Sequence, residues 1–266
     1  MKDATERIYP DREPLGILSI HLKRYKFALN YCKGKTVLDA ACGVGYGAYH
    51  LTQVASRVVG IDIDPQAIAY GQERFSSDCL SLRVADVMNT GFSDSEFDVI
   101  CSFEAIEHLS NIPMYLKEIA RILSPQGVCI LSTPQVSKTN HHPDNPYHMI
   151  EFARKDFEAL LQEYFNDVEL FGQRRKQSEF HYRITQLLGF AGLRGRLPKL
   201  SQLRNFVNTS LHTTNFDEMF LDDLVITKEK IERASEIIAV CRNPRPSEGF
   251  GTPSKSARFE RSDYNE

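Results

Sequence analysis

The sequence has no apolar run near the length that spans a bilayer, no C-x-x-C pair, no internal repeat and no excess of positive charge. Each absence removes a class of function. Without about 20 consecutive apolar residues, no segment reads as a transmembrane helix. Residues Met1 to Pro10 are polar, so no apolar signal region is expected there. The six cysteines, Cys32, Cys42, Cys79, Cys101, Cys129 and Cys241, are scattered, and Cys101 and Cys129 fall inside strand-like apolar runs. That spacing argues against a zinc site built from them and for reduced thiols, hence a cytoplasmic setting. A net charge of −3 gives no general nucleic-acid-binding surface. What remains, 266 residues of which 42% are hydrophobic, suits one domain with an elaboration and an ample core.

The most informative stretch is Asp39-Ala40-Ala41-Cys42-Gly43-Val44-Gly45-Tyr46-Gly47. It follows the apolar run Thr36-Val37-Leu38 and precedes a helical-looking segment, Ala48 to Val54. A strand, a Gly-rich turn and a helix start make a nucleotide-sized site, because glycine lets the backbone turn sharply and lets a ligand approach it. A second strand, Arg57 to Asp62, ends in an acid 23 residues after Asp39. A carboxylate there can accept both hydroxyls of a ribose, and Ile63 can pack on a planar base. Asp64-Pro65 then reads as an N-cap with proline at the first position of a helix, Gln66 to Phe75.

Further strands read over Leu80 to Val84, Phe97 to Ser102 and Val128 to Thr133, with a helix from Ile112 to Leu123 before Ser124-Pro125-Gln126-Gly127. A sixth and a seventh follow at Val168 to Phe171 and Ile237 to Cys241. Strand–helix alternation in this order predicts an α/β fold with a doubly wound, mostly parallel sheet and helices on both faces.

The glycine spacing resembles motif I of the class I S-adenosylmethionine-dependent methyltransferases, with Ala41 where the first glycine usually sits. The resemblance covers about residues 15 to 172 and rests on five motifs in order. It implies a Rossmann-like class I methyltransferase fold, with a seven-stranded sheet including one antiparallel strand, and S-adenosylmethionine as cofactor. The implied donor-binding residues are Asp39, Ala41, Gly43, Gly45, Tyr46, Asp62, Ile63, Asp86, Val87 and Phe103, with Asp86 at the adenine amino group. A nicotinamide-dependent reductase is the competing nucleotide-binding reading. Its G-x-G-x-x-G spacing is missing here.

Glu104, Glu107 and His108 follow the fourth strand. If a helical turn starts after Phe103, positions i, i+3 and i+4 share a face, and two carboxylates converge with an imidazole. Such oxygen and nitrogen ligands suit Mg²⁺ or a similar divalent ion. The E-x-x-E-H pattern resembles the metal site of the small-RNA 2′-O-methyltransferases and of the ubiquinone-pathway O-methyltransferases. Tyr147-His148-Met149-Ile150-Glu151-Phe152 is similar to the segment whose histidine completes the small-RNA site, so His148 is expected as fourth ligand ahead of His141 and His142. The same segment looks like bacterial sugar and glycan methyltransferases. A metal would activate a hydroxyl; without it, His108 or His148 serves as general base.

The flanks are expected to choose the acceptor. Residues 1–35 form an N-terminal helical lid bearing His21, Arg24 and Tyr25; 36–172 and 221–242 form the core; 173–220 is a helical cap insertion; and 243–266 is a disordered tail. The cap is basic from Arg174 to Arg204, with one acid, Glu179. It suits a phosphorylated acceptor, an anionic membrane surface, RNA, or a homodimer contact. The expected function is O-methylation of a small-molecule or sugar hydroxyl in glycan or secondary metabolism. The alternatives are an RNA terminal ribose, a quinone-precursor phenol, or a cofactor-binding protein without turnover.

Overall fold

The computed structural model describes residues 7–176 and 219–246. Helix α1 (Leu15–Cys32) precedes strand β1 (Thr36–Ala40), and α2 (Tyr46–Leu51), β2 (Arg57–Asp62), α3 (Pro65–Arg74) and β3 (Leu80–Val84) follow. Then come β4 (Phe97–Phe103), α4 (Ile112–Ile122), β5 (Leu123–Val136), the short β6 (Phe152–Ala153), α5 (Arg154–Gln162) and β7 (Phe165–Arg175). Strands β8 (Leu224–Thr227) and β9 (Glu236–Pro244) close the fold.

The sheet order is β3-β2-β1-β4-β5-β9-β7-β8, with β6 paired to β5. Strands β3, β2, β1, β4 and β5 run parallel. Their central members read as unbroken apolar runs because helices cover both faces. Successive β1 residues divide between the two cores. Val37 joins Tyr25, Ala28, Ala48 and Leu51 on one side, and Leu38 joins Tyr115, Leu116 and Ile119 of α4 on the other. Asp64 caps α3 by accepting from the Gln66 amide at 2.8 Å, with Pro65 at the helix start, as the sequence predicts.

Three expectations need correction. Among the described residues the sheet has nine strands rather than seven. Leu224–Thr227 adds an edge strand antiparallel to β7, and β9 runs antiparallel to both β5 and β7, so two strands oppose the sheet direction. The segment after Phe103 is not a helical turn: Glu104 has φ 50°, and a 3₁₀ turn forms only over Ile106–His108. Arg174 and Arg175 belong to β7 rather than to a cap. The rest of the basic stretch, from residue 177 to Arg204, lies outside the described residues, as does the tail beyond residue 246.

The chain winds from β1 outward to β3, then returns to place β4 on the other side of β1. The strand order therefore reverses between β1 and β4. Open α/β sheets bind ligands at the carboxyl ends of their strands at such a reversal.

Candidate active site

A cavity of about 880 Å³ opens at that reversal. The turn after β1 supplies Ala41, Cys42, Gly43 and Tyr46, the end of β2 supplies Asp62 and Ile63, and the loop after β3 supplies Asp86 and Val87. Phe103, Glu104, Glu107 and His108 line it beyond β4, and Asn145, Tyr147 and His148 enter from the loop after β5. The expected donor residues thus gather, except two. Asp39 and Gly45 do not line the cavity. Asp39 is fully buried behind the turn, and Gly45 adopts φ 83° at the start of α2.

Asp39 acts through packing. The Tyr25 hydroxyl donates to its Oδ1 and Oδ2 at 3.3 and 3.1 Å. Burial pushes the Asp39 carboxyl up to about 7, against the pull of that hydrogen bond. Tyr25 also sits edge-on to Tyr46 and Phe103 and lies directly over Gly47. A Cβ on Gly47 would come 1.8 Å from Tyr25 Cζ. That approach explains the third glycine of the turn: Gly47 has no positive φ, so it is needed for closeness. Ala41 stands at φ 62°, a conformation that glycine adopts at lower energy.

Asp62 is held by the chain on three sides. The Gly43 amide donates to Oδ2 at 2.9 Å, and the Asp64 amide to Oδ1 at 3.0 Å. Arg7 donates to Oδ1 at 3.2 Å and pairs with Asp64 at 2.7 Å. Ile63 is 65% exposed beside it, an open apolar wall for a planar ring.

At the other end, Glu107, His108 and His148 each present a ligand atom, all within 4.8 Å of one another. Glu107 is fully buried. Its Oε2 accepts from the Thr133 hydroxyl at 3.0 Å, while Oε1 has no hydrogen-bond partner among the described residues. Burial, reinforced by the nearby Glu104, holds its carboxyl well above the usual range. His108 Nδ1 donates to the Tyr147 carbonyl at 2.9 Å, leaving Nε2 facing Glu107 Oε1 at 4.0 Å. The His148 ring sits edge-on to His108 with centroids 4.9 Å apart. Glu151 accepts from its Nδ1 at 2.9 Å, and Asn145 donates to its Nε2 at 3.1 Å. The loop is stapled in place by the Met149 amide, which donates to the Glu107 carbonyl at 2.7 Å.

Glu104 stays outside this cluster. Its amide donates to the Ser132 carbonyl at 3.1 Å, and its Oε1 accepts from the Ser132 hydroxyl at 2.7 Å. Continuing the ladder from β4 to β5 draws it away from the turn that carries Glu107 and His108. His141 and His142 do not join the cluster either. Thr133, Asn145, Tyr147 and Glu151, which position the cluster, were not expected from sequence. Nor were Arg7 and Glu13 in the cavity wall. Glu151, three residues after His148 like a helical partner, carried the one usable signal.

Against known families, a methyltransferase-domain model matches residues 38–131. Over those residues the chain is similar to a methyltransferase domain, and its mostly parallel sheet with flanking helices has the Rossmann-like methyltransferase architecture. The match spans the glycine turn after β1 and both β2 and β4, and favours the methyltransferase reading over the nicotinamide reductase one. A probable S-adenosylmethionine-dependent methyltransferase of Mycolicibacterium smegmatis is 33% identical over 141 residues, covering 52% of this chain and 54% of that protein. A similarly named protein of Mycobacterium tuberculosis is 32% identical over 175 residues, covering 63% and 62%. The chain thus spans between about half and two thirds of the length of these relatives. Among solved structures, a chain of the Haloferax volcanii complex between the Trm112 methyltransferase activator and a methyltransferase superposes with a TM-score of 0.57. It is 20% identical and covers 86% of this chain and 93% of its own, a likeness of fold alone. No helix of the described residues is long and apolar enough to cross a membrane.

Proposed function

We propose that the chain transfers a methyl group from S-adenosylmethionine to a hydroxyl of a small-molecule or sugar acceptor. The observation that carries this reading is the convergence of Glu107, His108 and His148 in the cavity that also holds the donor turn. The β1 turn and Asp62 would hold the adenosine end, Ile63 and Val87 the base, and Phe103 and Tyr46 the wall toward the reacting methyl group. The acceptor hydroxyl then enters beside His108 and His148, with the in-line approach that methyl transfer requires.

Within the cluster, Glu107 Oε1 and His108 Nε2 face each other, and both accept when the histidine is uncharged. A proton or a cation is the species that satisfies two facing lone pairs. Glu107 Oε1 and His108 Nε2 would hold a divalent ion, His148 would join them through Nε2 on giving up its contact to Asn145, and Glu104 would stand outside the set. Such an ion, if bound, would supply a lowered pKa and a fixed position to a bound hydroxyl. Where no ion is bound, His108 Nε2, its ring oriented by the Tyr147 carbonyl, is the atom placed to take the hydroxyl proton. Glu107 faces the charge that develops on it, and Thr133 keeps Glu107 aimed.

Labelled methyl transfer to a panel of sugars, nucleotide sugars, catechols and short RNAs, with and without a chelator, tests this. Transfer to a diol that the chelator abolishes and Mg²⁺ or Mn²⁺ restores supports the metal-assisted form. Transfer indifferent to chelator assigns the proton to His108 alone. Absence of transfer to any hydroxyl would remove the O-methylation reading.

A further inference from the structure

The ribose-binding carboxylate of this protein is already engaged by its own N-terminal arm. Asp62 offers about four lone-pair positions. Three are taken: Oδ2 by the Gly43 amide, and Oδ1 by the Asp64 amide and Arg7 Nη2. A vicinal diol needs two, and one remains. The two amides are fixed by the turn after β1 and by the start of α3, so the contact that can yield is Arg7. Its other terminal nitrogen, Nη1, pairs with Asp64 Oδ2 at 2.7 Å and does not depend on Asp62. The arm behind Arg7 is anchored separately. Tyr9 packs edge-on against Tyr70 of α3 at 5.0 Å, and the Tyr70 hydroxyl donates to Asp11 at 2.7 Å. Arg7 is therefore a side chain on a fixed tether, free to swing off Asp62 while it stays paired with Asp64.

We infer that Arg7 competes with the donor's ribose diol for Asp62, so that the arm acts as a latch that the donor must open. This rests on the methyltransferase reading and adds a residue that tunes donor affinity. Arg7 is partly exposed and its contact to Asp62 is the longer of its two, so the competition is modest, about three- to fivefold in affinity.

The test is calorimetric binding of S-adenosylhomocysteine and its 2′-deoxy and 3′-deoxy forms to wild type and Arg7→Ala. The latch predicts that Arg7→Ala binds the intact ligand about three- to fivefold more tightly. At least one deoxy form, needing only the free position on Oδ2, should show no such gain. Arg7→Ala binding as well as or more weakly than wild type would overturn the inference, because Arg7 would then be idle or would itself hold the donor. An equal gain for all three ligands would also overturn it, since the effect would not act through the diol. If wild type binds none of them, the methyltransferase reading fails and takes the latch with it.

Discussion

Gly47→Ala places a methyl group where the Tyr25 ring lies. The added Cβ would stand 1.8, 2.2 and 2.3 Å from three ring carbons, all well inside contact distance. The ring cannot tilt freely, because Tyr46 and Phe103 flank it and its hydroxyl is tied to buried Asp39. Overpacking of this kind costs about 1–3 kcal/mol. Displacing the hydroxyl from a buried carboxylate adds about 1–3 kcal/mol. The two together are roughly 2–6 kcal/mol, a large share of a typical domain's 5–15 kcal/mol. Urea unfolding should show a lowered midpoint with an unchanged slope. Combining Gly47→Ala with Tyr25→Ala should remove most of the penalty of the first substitution, since the clash has gone and alanine is the better helix former. A loss below about 0.5 kcal/mol in the single variant would refute the close-approach account of this glycine.

The buried Asp39 sets a pH dependence. Its carboxyl stands at about 7 in the fold against 3.8 in the open chain. The native state therefore binds a proton that the unfolded chain has released, and this contribution to stability falls as pH rises from about 4 to about 7. Asp39→Asn should flatten the urea midpoint against pH across that window; an unchanged profile would contradict the shift. Glu236, pushed up to about 6 by burial, adds a smaller slope of the same sign that Asp39→Asn leaves in place. Glu107→Gln and His148→Ala should each lower kcat/KM by about a hundredfold or more while donor affinity stays near wild type. Single-turnover methyl transfer and calorimetry on the same preparations separate the two effects, and near-normal rates in both variants would misplace the chemistry.

The parallel half of the sheet was legible because its central strands are buried on both faces and read as apolar runs, and because Asp64-Pro65 marks a helix start by local chemistry. The glycine turn after β1 was legible for a similar reason: glycine spacing and a strand-end acid are short-range patterns. What escaped the sequence depends on residues far apart. Tyr25 meets Gly47 and Asp39 only after α1 packs on the sheet, so the burial of Asp39 against Tyr25 left no sequence signal. The helical spacing of Glu104, Glu107 and His108 misled because β4 keeps its ladder to Ser132 one residue further, and Glu104 leaves the turn at positive φ. Strand β8 is four residues long and pairs only at the sheet edge, too short for a periodic signal. Arg7 sits in a polar arm with no pattern of its own; its meaning comes from Asp62 and Asp64, more than fifty residues away.

The central claim is that the cavity at the β1–β4 reversal takes S-adenosylmethionine with its ribose on Asp62. Calorimetric titration of S-adenosylmethionine into wild type and Asp62→Ala tests it most directly. The account predicts one-to-one binding to wild type and a loss of at least about tenfold in the variant, because a two-point contact to a carboxylate is removed. No binding to wild type, or equal affinity in the two proteins, would contradict it.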